Sequence, residues 1–266
     1  MSIPSNQKTF RKGRLHRIFS QDGRTLIVAM DHLSRLGRNV RIQEPDRIIR
    51  EVAAANADAV LLRSGIATRC ASQLDHLGLI LSIGSEVSSS EWGVDLALRL
   101  GADAIKIEVF PGSETAPNPA AILGPLVTRC EDWSMPLLAE MIPVSFEAKD
   151  AHTPGNITDV ARLGADLGVD IVKTKFTGDV ESFAEAVTLA GLPVVILGGS
   201  EGNLRDLFAS VRQALDAGGA GAAVGRRIWS SDNPGRITGA LSRLIHEDIS
   251  VDQAVAEATK IVVGPT

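Results

Sequence analysis

Val169-Asp170-Ile171-Val172-Lys173-Thr174-Lys175-Phe176 is a short apolar run broken by two lysines. Recurrence of such runs along the chain decides the fold. Seven more are present: Thr25–His32, Ala57–Gly65, Gly78–Gly84, Ala102–Phe110, Pro136–Ile142, Pro193–Gly199 and Gly221–Arg227. Each is nearly continuously apolar, as parallel strands covered on both faces should be. The segments between them carry helical spacing, for example Val94, Leu98 and Leu100, and then Leu204, Leu207, Phe208, Val211 and Leu215. Asn56-Ala57-Asp58, Gly101-Ala102-Asp103 and Gly168-Val169-Asp170 precede or open three runs. A small residue and a turn suit the tight loop from a helix into a strand. Eight such units in a row predict a closed (β/α)8 barrel, a TIM barrel of the α/β class, in a single domain. Residues 25–266 are expected to form the barrel, and residues 1–24 an N-terminal extension that caps its bottom. Ser250–Ala258 reads as a final helix. An open doubly wound sheet is the competing fold, but no glycine-rich phosphate fingerprint follows the first run.

The composition fits this reading and excludes others. A chain of 266 residues with 44% hydrophobic content can bury a full core without staples. The net charge of -5 offers no basic surplus for nucleic acid or an anionic membrane. No apolar run approaches the roughly 20 residues of a membrane span. Met1–Ser20 is polar and basic without an apolar centre, so it does not read as a signal peptide. The two cysteines, Cys70 and Cys130, form no spaced pattern and read as reduced core thiols of a cytoplasmic protein.

Barrel enzymes build their sites where strands end and the following loops begin. The first run ends in Asp31-His32; the second carries Arg63, the fourth Lys106 and Glu108, the fifth Glu140, and the sixth Lys173 and Lys175. Charges inside apolar strands are costly unless paired, and several at one end of a barrel are a functional signal. Alternation along a strand gives Lys173 and Lys175 one face and Lys106 and Glu108 one face. If Ile171 packs inward, both lysines of the sixth run point into the lumen. Neighbouring cations weaken each other's hold on a proton, and only a neutral amine attacks a carbonyl. A nearby carboxylate can shuttle protons. Plainer readings stand beside these. Lys173 could pair structurally with Asp31 or Glu140, Lys175 could face solvent, and Lys106 could serve a salt bridge. Asp31 could cap a loop, His32 and His152 could be loop residues, and Arg63 could brace the barrel mouth.

Gly198-Gly199-Ser200 closes the seventh run and Gly225-Arg226-Arg227 the eighth. Barrels often hold phosphate with backbone N–H groups of these two loops, and glycine lets the backbone approach closely. Gly199, Ser200, Gly225 and Arg226 are therefore candidate phosphate ligands, Arg226 through a bidentate contact. Plain turn chemistry is the alternative for both glycine groups. A small-molecule sugar phosphate is the expected partner.

With these residues in place, the chain resembles the class I aldolases of the archaeal-type fructose-bisphosphate aldolase family. That broad group includes 2-amino-3,7-dideoxy-D-threo-hept-6-ulosonate synthase and the autoinducer-2 phosphate thiolase. The similarity runs through Arg14–Phe19, Gly23-Arg24-Thr25, Met30-Asp31-His32, Phe110–Glu114, Val172–Asp179 and Gly225–Trp229. The stretch VKTKFTGD is the most specific of these. By this resemblance Lys173 is the Schiff-base residue, Asp31 the aspartate after strand one, and Gly199, Ser200, Gly225 and Arg226 hold phosphate. Three departures count against fructose bisphosphate itself. The family's tyrosine after strand five has Ile142 near its place in a chain with no tyrosine, Leu33 replaces a glycine, and Ser200-Glu201 stand where a lysine is usual. Tagatose-bisphosphate and sulfosugar-phosphate aldolases look similar at Lys106, Glu140 and Lys173. That likeness makes Glu140 the proton shuttle and Lys106 a substrate-orienting cation.

The resemblance implies a class I aldolase that cleaves a phosphorylated ketose to dihydroxyacetone phosphate and an aldehyde through a lysine Schiff base. Two alternatives remain: transaldolase- or thiolase-like transfer on a phosphorylated C5–C7 compound, and a sugar-phosphate-binding barrel without catalysis. No metal or cofactor is expected, because no His, Cys and Asp residues cluster at ligand spacing. A homo-oligomer is expected from the family.

Overall fold

The computed structural model describes residues 11–31, 44–85, 89–114, 118–199 and 202–260. His32, Leu33, Ser200 and Glu201 lie outside them. Eight parallel strands form a closed barrel in sequence order. They are β1 (Thr25–Ala29), β2 (Ala59–Leu62), β3 (Gly78–Gly84), β4 (Ala104–Val109), β5 (Leu137–Met141), β6 (Ile171–Thr174), β7 (Val194–Leu197) and β8 (Gly221–Val224). The ring closes where β1 pairs with β8, Thr25 opposite Gly221. Every strand lies within its apolar run, and most runs overshoot their strand by one to three residues, where polar residues leave the ladder.

The helices that follow are α1 (Pro45–Ala54), α2 (Ser64–Arg69), α3 (Ser89–Arg99), α4 (Pro119–Asp132), α5 (Pro154–Asp166), α6 (Val180–Ala190), α7 (Leu204–Asp216), α8 (Arg226–Trp229), α9 (Pro234–His246) and α10 (Val251–Thr259). Several begin with a side chain that accepts a first-turn N–H: Thr153 for α5, Asp179 for α6, Asn203 for α7 and Ser250 for α10. None of these helices is long and apolar enough to cross a membrane.

Alternation sorts the strand side chains into two cores. Ile105, Ile107 and Val109 of β4, Leu137, Ala139 and Met141 of β5, and Val172 of β6 pack outward against the helices. Ala104, Leu138, Ile171 and Val195 pack inward, where Leu15, Ile18 and Phe19 of the N-terminal segment join them. These three side chains plug the bottom of the lumen.

The bottom rim is also tied by charge. Asp58, Asp103 and Asp170 stand just before β2, β4 and β6. Each accepts the backbone N–H that opens the preceding strand's apolar stretch: Leu26 at 2.6 Å, Leu79 at 2.9 Å and Leu137 at 2.8 Å. Each also meets a cation or histidine from a chain end. His246 Nε2 lies 3.0 Å from Asp58, Arg17 Nε 3.0 Å from Asp103, and Lys12 Nζ 2.8 Å from Asp170. The bottom is thus spent on stability and the opposite rim is left for chemistry.

Candidate active site

Register places three charged residues at one level of the lumen. Glu108 of β4 stands opposite Glu140 of β5, and Glu140 opposite Lys173 of β6. Ile171 packs inward, so Lys173, two residues on, does as well. All three are buried, Lys173 at 3% exposure. Lys173 Nζ lies 2.8 Å from Glu140 Oε1. The other oxygen of Glu140 lies 2.6 Å from Lys106 Nζ. Glu140 therefore bridges two lysines.

Lys106 starts two residues lower on β4, and its long side chain rises to meet the carboxylates. Its Nζ donates to Glu108 Oε1 at 2.5 Å and to Asp31 Oδ2 at 3.1 Å, besides pairing with Glu140. Three carboxylates and two ammonium groups form one buried network. It is stable only because each charge has partners. Burial alone would push the Glu140 carboxyl up. Lys106 and Lys173 outweigh it and bring it from 4.5 down to about 2.

A cavity of about 730 Å³ opens above this network. Its floor includes Asp31, Glu108, Glu140 and Lys173, while Lys106 lies beneath and does not line it. The Lys106 amine is enclosed by Asp31, Glu108 and Glu140. One wall is formed by Gly198, Gly199, Gly225, Arg226 and Arg227. Gly199 has φ +59°, a conformation that favours glycine. A Cβ on Gly198 would come 2.8 Å from Val224, so that glycine serves close packing of β7 against β8. Ser200 falls outside the described residues. Trp229 of α8 donates its indole N–H to the carbonyl of Ala29 at 3.0 Å. This bond ties the turn after β8 to the end of β1, two residues before Asp31.

The opposite wall comes from the loop between β5 and α5, through Phe146, Glu147, Lys149 and His152. Phe146 meets Phe110 edge-on with centroids 5.5 Å apart. Lys175 lies just past the end of β6. It lines the cavity, and its Nζ is 2.7 Å from His152 Nδ1, while His152 Nε2 is 2.7 Å from the Ser145 carbonyl. The Ser145 carbonyl can only accept, so His152 Nε2 donates to it. Arg63 does not line the cavity. Alternation gave Lys106 and Glu108 one face and, with Ile171 inward, turned Lys173 to the lumen. The part played by the β5–α5 loop went unseen, because loop residues follow no period.

Residues 25–231 match the DeoC/LacD family aldolases. The chain is 33% identical to a 2-amino-3,7-dideoxy-D-threo-hept-6-ulosonate synthase of Halobacterium salinarum, over 95% of this chain and 97% of that one. It is 32% identical to a class 1 fructose-bisphosphate aldolase of Halobacterium salinarum, covering 89% and 95%. A solved structure of a Schiff-base-forming fructose-1,6-bisphosphate aldolase superposes with a TM-score of 0.78 at 29% identity, covering 88% of this chain and 99% of that chain. Fold, sequence and a lysine in the lumen agree: the chain belongs to the DeoC/LacD family of aldolases.

Proposed function

We propose that this class I aldolase uses Lys173 as its Schiff-base amine, Glu140 as its proton shuttle, and a phosphorylated ketose as its substrate. The observation that carries the reading is the placement of the Lys173 amine. It reaches the floor of a cavity large enough for a sugar phosphate, 2.8 Å from a carboxylate. Glu140 Oε1 is in place to take the proton that the amine must lose before attack. Attack on the ketone carbon gives a carbinolamine, and its hydroxyl leaves as water with the proton that Glu140 returns, giving an iminium. Glu140 then takes the C4 hydroxyl proton as the C3–C4 bond breaks, and the bonding electrons pass to the nitrogen as an enamine.

The electrostatics support that timing. Glu140 is held near 2 by two cations. When the iminium becomes a neutral enamine, one cation disappears, and the buried carboxyl gains proton affinity in the same step that delivers the proton. Every proton moved stays among Lys173, Glu140 and the substrate, so the total charge of site and substrate does not change. Asp31 holds sugar hydroxyls, and Lys106 acts through the carboxylates by keeping them ionised and aimed. The turns at Gly199 and at Gly225–Arg226, with Ser200, take the phosphate and fix the ketone over Lys173. Cys70 and Cys130 are free and buried, and burial pushes the Cys130 thiol up to about 12. Such inert thiols fit a reducing compartment such as the cytoplasm.

Hydrogen exchange at C3 of dihydroxyacetone phosphate in D2O, followed by NMR, tests the assignment, since it needs the amine and a base but no aldehyde. Lys173→Met should abolish the exchange, and Glu140→Gln should slow it at least about 100-fold. Wild-type exchange rates in Glu140→Gln would remove Glu140 from the mechanism.

A further inference from the structure

The steps above leave one buried carboxylate without a task. Glu108 lines the cavity at 5% exposure, yet neither Schiff-base formation nor bond cleavage calls on it. Its Oε1 is taken by Lys106, and the carboxyl group still faces the cavity. We propose that Glu108 is the residue that selects the aldehyde half: it accepts a hydrogen bond from the hydroxyl on ketose carbon C5, and so favours 2-hydroxyaldehydes over aldehydes lacking that group. The inference rests on the assignment of Lys173 as the Schiff-base amine.

The order of side chains around the barrel carries it. The phosphate turns follow β7 and β8, the amine is on β6, the shuttle carboxylate on β5, and Glu108 on β4. Neighbouring strands stand about 4.8 Å apart, and side chains at one level converge toward the barrel axis. A ketose that places its phosphate on the β7–β8 side and C2 at Lys173 presents C3 and C4 to Glu140. The next carbon, C5, then falls toward Glu108. The contacts follow the same sequence. Glu140 touches the amine of Lys173, and Glu108 is one link farther, joined to Glu140 through Lys106 at 2.5 and 2.6 Å.

The chemistry of the group fits a hydroxyl. An ionised carboxylate only accepts hydrogen bonds, and a hydroxyl is a donor of matching size. A bond of this kind to a charged acceptor is stronger than a neutral one. A site built around a substrate hydroxyl discriminates against the analogue that lacks it. Glu108 is held in that position by Lys106, which occupies Oε1 and fixes the carboxylate against rotation.

The test is condensation of dihydroxyacetone phosphate with glyceraldehyde or with 3-hydroxypropanal, which differ only in the hydroxyl at the carbon destined to become C5. Wild-type enzyme should favour glyceraldehyde by about 100-fold in kcat/KM, the scale of a lost bond to a charged group. In Glu108→Gln the ratio should fall to within about fivefold of unity, mainly through poorer use of glyceraldehyde. Glu108→Asp, which keeps the charge and withdraws it by one carbon, should give an intermediate ratio. Equal use of the two aldehydes by wild type overturns the proposal without any variant, and so does an unchanged ratio in a folded Glu108→Gln. Failure of the underlying mechanism has a different signature. Wild type would then exchange no hydrogen at C3 of dihydroxyacetone phosphate, with either aldehyde absent.

Discussion

Replacing Lys106 with methionine removes the amine that three carboxylates share and leaves a side chain of similar length. In the native protein its Nζ lies within 3.1 Å of Asp31, Glu108 and Glu140, and it is 1% exposed. Without it, the three buried carboxylates lose the cation they share, and of the two lysines on Glu140 Lys173 remains. Removing one partner from a buried ion pair costs about 3–5 kcal/mol, and here the remaining acids also repel one another. At neutral pH the variant should lose about 4 kcal/mol, which for a chain of this size lowers Tm by roughly 8–16 °C. The loss should depend on pH with a definite sign. Lys106 is one of two cations that hold Glu140 near 2. Without that amine, burial pushes the Glu140 carboxyl up against one cation fewer, and its folded-state proton affinity should rise above its unfolded value. A group raised in this way stabilises the fold below its pKa, so the variant recovers stability as the pH falls. Urea denaturation at about pH 8 and about pH 5 measures both effects. The gap between wild type and Lys106→Met should narrow by at least about 1 kcal/mol at the lower pH. A gap below about 1 kcal/mol at pH 8, or one that does not change with pH, would refute the shared-cation reasoning.

Two further predictions concern the frame. His246 lies 2.8 Å from Asp22 and 3.0 Å from Asp58, and although burial lowers its proton affinity, the two carboxylates raise its pKa from 6.5 to about 9. At about 1.4 kcal/mol per pH unit the upper bound is about 3 kcal/mol, and solvent at Asp22, which is 34% exposed, screens this to about 1.5 kcal/mol. That stabilisation is complete below 6.5 and lost as pH rises through 9, so His246→Gln should be weaker than wild type near pH 6 and equal to it near pH 10 in denaturant titrations. At the barrel seam, a Cβ on Gly221 would meet the Thr25 carbonyl oxygen at 1.9 Å, at a φ of +129°. Gly221→Ala should cost about 3 kcal/mol or more, and a Tm within about 3 °C of wild type would show that the seam relaxes freely.

The fold was legible because its information is local and repeated. Strand β3 matched its apolar run from Gly78 to Gly84. β1 stops at Ala29, short of His32, and Asp31 just beyond it meets Lys106. The charged layer was half legible. Alternation put Lys106 and Glu108 on one face, but which carboxylates Lys106 would reach depends on three strands converging, and no single strand records that. The aspartates at positions 58, 103 and 170 carried a signal that was read only as turn chemistry. Their recurrence before β2, β4 and β6 fits a shared task, capping the preceding strand. Lys175 shares the face of Lys173 by alternation, yet its partner His152 comes from a loop and left no periodic trace.

The central claim is that the Lys173 amine bonds to a substrate carbon. Borohydride reduction of the enzyme with dihydroxyacetone phosphate, followed by mass mapping of peptides, tests it directly. One adduct is expected, on the peptide that contains Lys173, and it should disappear in Lys173→Met. Absence of any adduct, or an adduct on Lys106 or Lys175 with Lys173 unmodified, would contradict it.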